Sequence, residues 1–124
     1  MIRHVKLYGT TDATGALTVT GDVAIEGLLH SVEWIDGTFA DGVDAVISLV
    51  RDDDASDITL LTLTDANIDK IYYPLVLACN NTGADLATAG DATYQRMIIN
   101  GKPKLVVASG GAAKVGGCIV YYEV

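Results

Sequence analysis

The chain has 124 residues, half of them hydrophobic, and a formal charge of −8. That length fits one domain able to bury a core without metals or disulfides, and the mixture excludes intrinsic disorder and, as a default, a surface for nucleic acid. Residues 1–60 hold eleven Asp and Glu against three Lys and Arg, while residues 61–124 hold five of each, so the first half either solvates the protein or attracts a basic partner.

The opening MIRHVKLYGTTD has charges among its apolar residues and no hydrophobic run of leader length, so neither signal peptide nor membrane anchor is expected. The longest apolar stretch, IYYPLVLAC at 71–79, is too short to span a bilayer. A soluble chain made in the cytoplasm is the expectation.

No window keeps apolar residues at helical spacing for three turns. Segments rich in Val, Ile, Thr, Leu and Tyr alternate with Gly, Asp, Asn and Pro, which is the rhythm of strands and turns. Strands are expected near 3–8, 16–20, 22–35, 43–51, 58–63, 70–78, 93–99, 103–108 and 117–123. They predict a single all-β domain over residues 1–124, a β-sandwich of jelly-roll type with eight or nine short strands.

In DVAIEGLLHSVEWID, Val23 and Ile25 share one face, but Leu28, Val32 and Trp34 have the opposite parity. A β-bulge at Gly27 restores the register and bends the strand, because glycine accepts positive φ. In VDAVISLVR, Val43, Ala45, Ile47 and Leu49 form one face, and Val46 with Val50 makes the other apolar too, so both faces are expected to be covered.

RDDDASD (51–57) sets Asp52, Asp54 and Ser56 at calcium-loop spacing, but Asp57 stands where glycine is needed and Leu63 where a bidentate Glu belongs. It reads as an exposed acidic hairpin tip. Pro74 inside IYYPLVLA lacks a ladder donor, which places that strand at an edge or a bulge. Tyr72 and Tyr73 beside it read equally as a contact surface or as half-buried core. The following stretch, NNTGADLATAGDAT (80–93), is a long polar connection.

SGGAAKVGG (109–117) departs from a phosphate loop, since Lys114 precedes Gly116 and the next run, CIVYYEV, alternates like a strand. It reads as the turn of a β-hairpin, with Lys114 at its tip. Ser109 lacks the nucleophile elbow, because Val107 stands where glycine would be required. His4 and His30 sit outside metal spacings and read as structural. Cys79 and Cys118, in apolar runs, read as small buried hydrophobes, with a disulfide as the lesser alternative. No catalytic, cofactor-binding or metal-binding residues are expected, although two carboxylates facing each other across a cleft would leave no local signature.

Four phrases, GLLHSVEW (27–34), FADGVDAVISL (39–49), YYP (72–74) and KLVVASGGAAKVGG (104–117), together span most of residues 27–124. In their order the chain resembles a family of short proteins encoded near the capsid genes of tailed bacteriophages. In that family YYP often continues with Arg; here Leu75 follows, and any role of that arginine does not carry over. The resemblance implies a capsid decoration, or cement, protein: a β-sandwich homo-oligomer, dimer or trimer, on the outer surface of the virion head, where it clamps copies of the major capsid protein. It implies no enzyme activity, cofactor, nucleic acid or membrane partner. Tyr72, Tyr73, Pro74 and Lys114 are the expected contact residues. The alternative of another class is a host-attachment or glycan-binding module, which would use exposed aromatic rings.

Overall fold

Antiparallel pairing organises the strands of the computed structural model, which describes residues 1–51, 56–87 and 92–124. Among those residues there are ten strands and no helix: β1 (Ile2–Thr10), β2 (Leu17–Thr20), β3 (Ile25–Ile35), β4 (Asp44–Val50), β5 (Ile58–Leu63), β6 (Lys70–Tyr72), β7 (Leu75–Leu77), β8 (Tyr94–Arg96), β9 (Ile98–Ala108) and β10 (Val115–Glu123). The all-β expectation holds, with ten strands where eight or nine were expected.

The main path runs β1-β10-β3-β9-β4-β5, with β2 added on β9 and β6 on β3, while β7 and β8 form a separate ribbon. Two strands are shared between the halves of this sheet. The start of β3 pairs with the start of β9, Ile25 opposite Gly101 and Leu28 opposite Ile98, before each strand continues into its own half.

Both strands carry a glycine at that crossing. Gly27 has φ 146° and Gly101 φ 153°. A Cβ on Gly27 would lie 2.0 Å from the Glu123 oxygen, and one on Gly101 would lie 2.6 Å from the Val50 oxygen. Glycine is required there for both backbone angle and close approach. The register shift falls elsewhere than expected, however. Tyr121 faces Ser31 and Tyr122 faces Leu29, which leaves His30 as the extra residue. Leu29, not Leu28, is therefore buried, and Leu28 is exposed.

Pro103 sits in the middle of β9, which with β3 has three strand partners, whereas the expected strands left a gap at 100–102 and began anew at Pro103. Its side of β9 is where the partner changes from β3 (through Gly101) to β2 (from Lys104), and its carbonyl accepts the Gly21 N–H at 2.8 Å. A missing N–H is tolerated at such a gap. Conversely, the expected strand 70–78 is divided at Tyr73 and Pro74 into β6 and β7.

The segment between β9 and β10 is not a hairpin. β9 pairs with β4, β2 and β3, and β10 pairs with β1 and β3. Residues 109–114 instead cross from one half of the sheet to the other, with Ser109, Gly111 and Ala113 all at positive φ. The crossing is tied by Thr11, whose N–H donates to the Lys114 carbonyl and whose hydroxyl accepts the Lys114 N–H, both at 2.8 Å, and by Ala40 donating to the Gly110 carbonyl at 2.9 Å.

Alternation places the core. Leu7, Val32, Trp34, Cys118 and Val120 from one half meet Val43, Ala45, Ile47, Leu49, Leu105 and Val107 from the other in a single buried cluster. The expected inner face of β4 is buried throughout, but its second face is only partly covered: Ser48 is buried, Val50 is half-buried and Val46 is exposed.

Candidate functional site

The outward face of β1, β10, β3 and β6 gathers side chains that the pleat turns away from the core. His4 and Tyr121 are register partners with ring centroids 5.9 Å apart. His30 stands edge-on to Tyr73 at 6.0 Å, and its Nδ1 lies 2.9 Å from the Ser31 hydroxyl. Ile2, His30, Ser31, Ile71, Tyr73 and Tyr121 line a shallow groove of about 320 Å³ on this face.

Of the expected contact residues, Tyr73 is 63% exposed and belongs to this groove. Tyr72 belongs to β6 opposite Val32, packs against the core and lies beneath the Lys70 ammonium, 5.0 Å from the ring centroid. Of the pair, Tyr72 is half-buried against the core and Tyr73 is exposed. Pro74 is half-buried and separates β6 from β7. Lys114 has an exposed side chain on the crossing segment, not on a hairpin tip, in the loop cluster of Thr11 and Gly111 and away from the tyrosines.

The residues missed by sequence reading are Ile2, His30, Ile71 and Tyr121. Alternation in CIVYYEV separates Tyr121 from Tyr122, but a local pattern does not say which of the two faces the core.

Beyond Pro74 an arm carries exposed Leu75, Leu86 and Tyr94, and ends at Ile98, which is 82% exposed. Arg96 anchors it: its Nε donates to the Leu29 carbonyl at 3.1 Å, and its Nη1 pairs with the Glu123 carboxylate. The hydrogen bond and charge of Arg96 hold the Glu123 carboxyl below its usual range.

Acidic residues do not segregate by sequence half. Asp36 and Asp41 of the first half face Asp69 of the second, whose Oδ1 accepts the Asp36 N–H at 2.8 Å. Burial, then Asp69 and Asp41, raise the Asp36 carboxyl. Asp52 and Asp54 lie outside the described residues. The Ser56 carbonyl, at the fifth position of that loop, accepts Arg51 Nε at 3.0 Å and Nη2 at 2.7 Å.

Among the described residues, no group of three or more His, Cys, Asp or Glu is placed to hold a metal ion. The His30–Ser31 pair has no carboxylate hydrogen-bonded to the ring among those residues, and Ser31 is 3% exposed. Both cysteines are free, Cys118 buried and Cys79 exposed, so the expectation of two buried thiols is corrected for Cys79, which sits in an isolated bridge to Asp85. Burial pushes the Cys118 thiol up to about 12. No helix is long and apolar enough to cross a membrane among the described residues.

Compared with protein-family models, curated proteins and solved structures, the chain has no match.

Proposed function

We propose that the protein is a structural, adhesive β-sandwich that decorates the outer surface of a tailed-phage head, binding the major capsid protein and copies of itself. The observation that carries this reading is the arm beyond β6. It displays Tyr73, Leu75, Leu86 and Tyr94 to solvent, four large apolar side chains on one excursion from a body of paired strands, and exposed Ile98 stands where the chain rejoins that body at β9. Exposed apolar groups grouped in this way mark contact surfaces. The partner in this reading rests on the resemblance of four phrases of the chain to the capsid-associated family.

The mechanism is mechanical. A clamp across two capsomers adds interface area where a shell separates, and repetition over many sites turns weak contacts into a strong hold. Arg96 has the positioning role: its bonds to Leu29 and Glu123 tie the arm to the body, so a force on the arm reaches β3 and β10.

The glycan-binding alternative has less support. Trp34 is the only tryptophan, and its ring is fully buried, leaving only tyrosine rings such as Tyr73 and Tyr94 exposed to a sugar.

The test is co-sedimentation of purified protein with mature, expanded heads and with immature ones. Binding to expanded heads that falls at least tenfold in Leu75→Asp and Tyr94→Asp is expected. Failure of the wild-type protein to sediment with either form retires the proposal.

A further inference from the structure

The strand register sets the outward residues of β1, β10 and β3 in rows. Lys6 is paired with Ile119 and Ile119 with Glu33, giving a row with a cation at one side and an anion at the other. In the next row Tyr8 pairs with Gly117 and Gly117 with Ile35. An aromatic ring stands at one side, an aliphatic chain at the other, and no side chain between them. Lys6 and Tyr8 are exposed, and Glu33, Ile35 and Ile119 are half-buried.

This pattern complements itself. A two-fold axis lying along β10, in the plane of the face, exchanges left and right. A second copy brought on by that axis sets its Glu33 over Lys6, its Lys6 over Glu33, and its Ile35 against Tyr8, with the bare Gly117 position leaving room for the rings.

Charge selects the occupant. On these rows Lys6 and Glu33 cancel, so the chain's −8 is carried by the rest of the molecule. The rest of the molecule carries a net negative charge that repels its copies on average, whereas here opposite charges meet twice. The area is sufficient for a reversible contact. Three strands of nine or so residues, spaced about 4.8 Å apart and rising about 3.4 Å per residue, present roughly 440 Å² per copy, or about 880 Å² in total, the size of a weak, transient association.

We infer that the protein forms a two-fold dimer through the outward face of β1, β10 and β3, held in register by Lys6 of each copy against Glu33 of the other. The inference deepens the self-association in the proposed function but does not need capsid attachment.

The experiment is a charge exchange read by sedimentation velocity at tens of micromolar and low salt, with circular dichroism confirming that each variant is folded. Wild-type protein is expected to sediment as a dimer. Lys6→Glu and Glu33→Lys should each dissociate at least tenfold more readily, because like charges then meet twice. A one-to-one mixture of the two variants should regain the dimer, since every cross-copy contact again joins opposite charges, and the double exchange in one chain should do the same. A wild-type monomer, a wild-type trimer, single variants that dimerise like wild type, or a mixture that stays monomeric would each overturn the inference. Wild-type protein that fails to bind heads while the mixture regains the dimer supports this inference and counts against capsid attachment alone.

Discussion

Trp34 Nε1 donates a 2.9 Å hydrogen bond to the carbonyl oxygen of Ala66, and the indole is fully buried. One side chain of β3 thereby fixes the connection between β5 and β6, with Phe39 stacked on the ring at 5.6 Å. Trp34→Phe keeps an aromatic ring but leaves the buried Ala66 carbonyl without its donor. Loss of about 1–3 kcal/mol is expected, read as a lower urea midpoint at unchanged slope. A change under about 0.5 kcal/mol would mean that the bond is replaced by water.

The crossing of β3 and β9 makes a second prediction. Gly27→Ala places a methyl group 2.0 Å from the Glu123 oxygen, whereas Gly83, at φ 84°, has open space around it. Gly83→Ala should cost about 1 kcal/mol for the backbone angle alone. Gly27→Ala should cost at least 3 kcal/mol because main chain must also move. Equal losses in thermal unfolding would show that the strands need no close approach.

Arg96 and Glu123 predict an acid response. The Glu123 carboxyl, ordinarily near 4.5, titrates lower in the folded chain because of Arg96. The stabilisation is therefore present above the ordinary value and is lost as pH falls through the folded one. Arg96→Met should narrow its stability gap to wild type as the medium is acidified below pH 4.5. The gap should not close, since the Arg96 bond to the Leu29 carbonyl is also missing and does not titrate with Glu123. A gap independent of pH would leave the ion pair without a role.

The thiols give a further test. Cys79 is exposed and Cys118 buried, so a thiol reagent at neutral pH should label one cysteine per folded chain and two in denaturant. Burial raises the Cys118 thiol from 9.0 to about 12. Between those values the unfolded chain has lost a proton that the folded chain keeps, and stability should fall as pH rises through that window. Cys118→Ala should remove that component of the alkaline slope; an unchanged slope would assign it to other groups.

Much of the architecture was legible in local pattern. Alternation across Val43, Ala45, Ile47 and Leu49 identified a buried face. The bulge was harder to place. Leu28 and Leu29 are adjacent and equally apolar, so either parity satisfies the sequence, and the choice belongs to β10, which passes Tyr121 at Ser31 and Tyr122 at Leu29. The candidate surface was half visible for the same reason. Adjacent tyrosines in an extended chain must face opposite ways, but only the pairing of Tyr72 with Val32 decides that Tyr72 goes in and Tyr73 out.

By itself, then, the sequence determined strand content, the spacing of turns and the absence of sustained helical periodicity, because each depends on residues within a few positions of one another. Tertiary structure alone decided that residues 109–114 cross between halves of the sheet instead of closing a hairpin, and that Lys6, Ile119 and Glu33 share a row. Glycines permit either kind of connection. Which one forms depends on the hydrogen-bonding edges that β4, β2 and β3 have already taken on β9, a competition between segments far apart in the chain.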